Sequence, residues 1–83
     1  MSIAAQTNSD TSWLRIPHYK VVALNPKLAC RVPEVKHALE SGLSACPDTS
    51  RENFYDVELG AGWAYIHVRD DMQTVYLIAY SRM

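Results

Sequence analysis

The sequence predicts an α+β fold: a small single domain with a four-stranded, mainly antiparallel sheet, in the order β-α-β-β-β, and one main helix packed on one face. Three observations predict it. Three strand-like segments follow one another from Phe54 to Tyr80 with tight turns between them. A stripe of apolar residues spaced three and four apart precedes them, bracketed by Pro33 and Pro47. A further β-rich segment, His18 to Leu24, lies before that stripe. At 83 residues, 48% of them hydrophobic, the chain suits one core and no second.

Residues 1–12 hold no basic residue and no apolar core, so they read as a flexible N-terminal tail and not as a secretory signal; residues 13–83 read as the domain. Trp13-Leu14-Arg15-Ile16-Pro17 is apolar but broken by a proline, and is expected to lie on the body as an arm. His18 to Leu24 is the first strand, with apolar residues on both sides. Asn25 followed by Pro26 signals a capped helical turn. Pro33 then starts the main helix, expected to run to Ala45 with Val35, Ala38, Leu39, Gly42, Leu43 and Cys46 on one apolar stripe. Residues 48–53 form a polar connector into the sheet.

In the meander, an even-numbered loop centred between Asp71 and Met72 sets Val68 against Val75, Ile66 against Leu77 and Ala64 against Ala79 as one aliphatic face. The same register puts His67 opposite Tyr76, Tyr65 opposite Ile78 and Trp63 opposite Tyr80 on the other face, because side chains alternate along a strand. The Gly60-Ala61-Gly62 turn leaves a choice. An even loop places Tyr55, Val57 and Leu59 in the aliphatic row, whereas a three-residue loop places them beside Trp63 and Tyr65. The even loop is preferred because it gives one uninterrupted core row and keeps Asp56 and Glu58 off it.

The net charge of −1 offers no global attraction to nucleic acid or anionic lipid. No apolar run approaches the roughly 20 residues of a membrane span, so a cytoplasmic protein is expected. Charge is unevenly placed: Arg15, Lys20, Lys27, Arg31 and Lys36 stand against Glu34, whereas residues 40–71 hold seven acids against Arg51 and Arg69. Cys30 and Cys46 flank the expected helix and should be buried and too far apart to bridge. They make no metal spacing with a histidine, and neither a metal nor any other cofactor is expected. His67 near Asp56 or Glu58 is the one conceivable acid/base pair, but a strand histidine is more often structural, and no nucleophile motif or phosphate loop accompanies it.

The candidate surface is therefore the aromatic sheet face, carrying Trp63, Tyr65, His67, Arg69, Tyr76, Ile78 and Tyr80. Large aromatics beside arginine are enriched at interface centres. Either this face meets a protein partner or a second copy of the chain, or the arm folds back over it. The leading expectation is a non-catalytic accessory or regulatory protein acting by protein–protein interaction, with a homodimer as one form. An alternative is a binder of a small apolar or aromatic ligand in a gap between face and arm. The strand, helix, meander order and the closing Tyr80-Ser81-Arg82 resemble in topology the small bacterial ribonuclease-type toxins of the RelE and ParE group, over about the last thirty residues. That resemblance implies an RNA-directed protein, although those toxins are strongly basic and carry a longer helical hairpin. Here Asp56, Glu58, Asp70 and Asp71 flank the sheet against Arg69 and Arg82, which disfavours nucleic acid because phosphate contacts supply much of such affinity.

Overall fold

The computed structural model describes residues 12–82. Six strands form one mixed sheet: β1 (Ser12–Leu14), β2 (Lys20–Ala23), β3 (Leu43–Pro47), β4 (Phe54–Leu59), β5 (Gly62–Arg69) and β6 (Thr74–Arg82), with a single α-helix, α1 (Val32–Ser41). Their spatial order is β1-β3-β4-β5-β6-β2, antiparallel throughout except that β2 runs parallel to β6. The α+β class stands, but the four-stranded, mainly antiparallel sheet is corrected to a six-stranded mixed one. Residues 1–11, most of the expected tail, lie outside the described residues; Ser12 opens β1.

Both additional strands have a local cause. The helix does not reach Ala45: it stops at Ser41, where Gly42 takes φ +101° and its N–H donates to the Ala38 carbonyl. Past that break Leu43 and Ala45 face the core while Ser44 and Cys46 alternate with them, so the chain reads with period two and pairs antiparallel with β4. The new strand offers an outer edge, and the Trp13 segment pairs there, Leu14 opposite Leu43. The described part of the arm thus extends the sheet sideways and does not cross the aromatic face, so no gap between arm and face forms there. The break also brings Cys46 into a strand, and Cys30 is exposed where a buried thiol was expected.

Other local readings hold. Asn25 accepts from the Lys27 N–H at 3.0 Å and caps a 3₁₀ helix, Pro26–Arg31, that leads into α1. The loop at Gly60-Ala61 has two residues, with Leu59 opposite Gly62, so Val57 and Ala64 share the core side. A 3₁₀ turn over Asp70–Met72, with Gln73 left-handed, closes the last hairpin with Arg69 opposite Thr74. Val35 and Leu39 of α1 pack on Leu43, Ala45, Val57, Leu59, Ala64, Ile66, Val68, Val75 and Leu77. Fully burying an aliphatic side chain contributes about 1.5–3 kcal/mol, which makes this row the main source of stability.

Two glycines are required by geometry. A Cβ at Gly42 would meet the Trp13 indole at 2.6 Å in a backbone conformation that L residues avoid, and one at Gly62 would overlap the Ser81 carbonyl oxygen. Gly42→Ala and Gly62→Ala are each expected to cost about 1–3 kcal/mol in urea unfolding. Gly60→Ala, with nothing within 4 Å of the added carbon, should leave the midpoint nearly unchanged.

Candidate functional site

The helix covers one side of the sheet, so the other side takes its character from the opposite parity of the same strands. Phe54 stands across from His67 and His67 across from Tyr76. Their rings make a continuous row: Phe54 and His67 stack with centroids 4.0 Å apart at 7°, Tyr65 lies 5.7 Å from Phe54, and Tyr76 lies 6.3 Å from His67. The Arg51 guanidinium sits 5.1 Å above the Phe54 ring. Neither Phe54 nor Arg51 was among the expected surface residues. Phe54 was legible, because it shares the parity of Asp56 and Glu58; Arg51 comes from the connector and carries no periodic signal.

Of the expected residues, Trp63, Tyr65, His67, Arg69 and Tyr76 share this face, with Trp63 38% exposed. Tyr80 does not. Ile66 pairs with Leu77 but Tyr65 pairs with Ala79, so Ile78 is the extra residue of a β-bulge. Beyond a one-residue slip every side chain changes face. Tyr80 therefore falls opposite Ala64, packs against the core, and lies under the Arg31 guanidinium at 4.3 Å. Its hydroxyl is buried with no hydrogen-bond partner among the described residues.

The bulge also shapes the face it leaves. Ala79, not Ile78, stands opposite Tyr65, and Ser81, not Tyr80, stands opposite Trp63. Small side chains at those two places open a shallow depression of about 150 Å³, lined by Asp56, Trp63, Tyr65, Ala79 and Ser81 together with Ala64 and Tyr80 between them.

Charge is disposed around the row. The Tyr65 hydroxyl donates to the Asp48 carboxylate, which also accepts from the Ser50 N–H at 2.9 Å and hydroxyl at 2.8 Å. These donors, Tyr65 first, hold the Asp48 pKa down at about 2 from its ordinary 3.8, and the same bond raises that of Tyr65. At the other end Arg69 donates twice to Asp71, at 3.1 and 2.8 Å, lowering the aspartate and raising the arginine. Tyr19 donates to Asp70 at 2.7 Å, a bond that raises the tyrosine pKa. His67 gains no carboxylate as a cross-strand neighbour, since Asp56 stands opposite Tyr65 and Glu58 opposite Trp63. Among the described residues no cluster of three or more His, Cys, Asp and Glu side chains is placed to hold a metal ion, and no helix is long and apolar enough to cross a membrane.

Among the described residues, the geometry defines a mixed sheet with the helix on one side and, on the other, an aromatic row with a carboxylate-edged depression at one end. Comparison of the chain with protein-family models, curated proteins and solved structures gives no match.

The Asp48 anchor has a pH signature. Its folded pKa lies below the unfolded value, so the stability it contributes is fully present above about pH 4 and is lost as pH falls from 3.8 towards 2. Acid titration of the unfolding midpoint should show that loss in the native chain, and a smaller one in Tyr65→Phe. An identical acid limb in both chains would rule out the anchor.

Proposed function

We propose that the protein is a non-catalytic accessory or regulatory module that works by docking a protein partner on the aromatic face of its sheet, the side away from the helix. One observation carries the reading: Phe54, Tyr65, His67 and Tyr76 form a continuous row, with Trp63 alongside, on the side of the sheet away from the helix. Contiguous aromatic surface of this kind marks contact sites, and tyrosine, tryptophan and arginine dominate their energetics. Rigid rings lose little conformational entropy on binding, and a sheet presents them without rearrangement. A cytoplasmic setting suits the exposed thiol of Cys30, which oxidising compartments tend to consume. The RNA-directed alternative is weakened by the acids Asp48, Asp56 and Glu58 at this end of the face.

The test compares the tagged native chain with a Trp63→Ala, Tyr76→Ala double variant and with His37→Ala, whose side chain is exposed on the helix. A partner recovered from the native cells with the native chain and with His37→Ala should fall by about tenfold or more with the double variant. Light scattering on the same three proteins tells a second copy from a different protein. Equal recovery and equal mass for all three would reject the face as the docking surface.

A further inference from the structure

Deepening the proposed docking role, on which it rests, we infer that the depression beside Trp63 and Tyr65 receives the guanidinium of an arginine side chain presented by the partner protein. Trp63 and Tyr65 are two residues apart on β5 and share a face. Side chains so spaced leave the strand about 6.6 Å apart. A planar group in van der Waals contact with a ring on either side needs roughly 7 Å. Across the strand pair the cross-strand neighbours of these two rings are the small residues Ala79 and Ser81, and Ala64 and Tyr80 complete the lining, so the floor is low and part polar.

Charge selects the occupant. Asp56 lines the depression, and Glu58 stands opposite Trp63 on the neighbouring strand. Both are exposed, and neither has an ion-pair partner among the described residues, whereas Arg69 is held by Asp71 and Arg31 by Glu34. A carboxylate next to two aromatic faces attracts a cation both by direct pairing and through the ring quadrupoles. Guanidinium fits better than ammonium here, because it is flat, stacks on rings, is weakly hydrated and can donate two parallel hydrogen bonds to one carboxylate. An apolar side chain would leave Asp56 facing a desolvated neighbour with no compensation.

The test uses the isolated 83-residue chain with isotope labelling and three probes: N-acetylarginine amide, its neutral isostere N-acetylcitrulline amide, and N-acetyllysine amide. The arginine probe should give saturable shifts centred on the Ala79 methyl and the Trp63 indole N–H, with a dissociation constant on the order of 1 mM. Citrulline should give none, lysine weaker ones, and Asp56→Asn should weaken arginine binding about tenfold. Ala79→Leu, which fills the depression on an exposed site, should abolish it. Absence of saturable shifts, citrulline matching arginine, lysine matching or exceeding arginine, or an unaffected Asp56→Asn each overturns the assignment. The titration needs no partner, so its failure leaves the aromatic row to be judged by the recovery experiment. Conversely, arginine binding here without loss of partner in the Trp63→Ala, Tyr76→Ala variant would sink the docking role, and with it the partner as the source of the arginine, while leaving the affinity of the depression for guanidinium in place.

Discussion

The structure depends on a mismatch of widths. Six strands at about 4.8 Å spacing make a sheet some 24 Å across, whereas a helix with its side chains is about 10–12 Å in diameter. One ten-residue helix can therefore close one side of the middle of such a sheet and nothing more. Val35 and Leu39 are spent on that closure, over the row that Val57, Ile66, Val75 and Leu77 provide. The opposite side is left with rings in place of aliphatic side chains, and these hold one another by stacking and hold the connector through Asp48 and Arg51.

The bulge at Ile78 divides β6 into two parts with opposite allegiance. Before it, Val75 and Leu77 belong to the core and Tyr76 to the aromatic row. After it, Tyr80 belongs to the helix side, where Arg31 covers its ring, and Ala79 and Ser81 belong to the other. One inserted residue thereby seals the end of the core with a large ring while taking that ring, Tyr80, off the opposite face. Packing on one side and relief on the other have the same cause.

Much of this was legible in local sequence. The alternation in β4 and β5, the polar four-residue loop from Asp70 to Gln73, the Asn25-Pro26 cap and the preference for an even-numbered loop at Gly60-Ala61-Gly62 all follow from neighbours in the chain. The misreadings share a different origin. Leu43 lies four residues after Leu39 and two before Ala45, so it satisfies helical and strand periodicity at once; only pairing with β4, distant in sequence, decides between them. The three residues of β1 have no strand signature of their own and exist because β3 offers an edge. The bulge sits in a run of Leu, Ile and Ala without glycine or proline to mark it, so the depression it opens could not be anticipated.

The two margins of the sheet are brief. β1 spans three residues and β2 four, and Pro17 and Pro26 stand just beyond them, with Arg15 and Lys20 adding like charge along the borders. Among the described residues, the backbone donors and acceptors along such margins are few and interrupted, which makes them poor templates for another chain. Fibrillar growth by strand addition is consequently discouraged, and a protein this rich in β-structure can keep sticky rings on its flat side without polymerising through its rims.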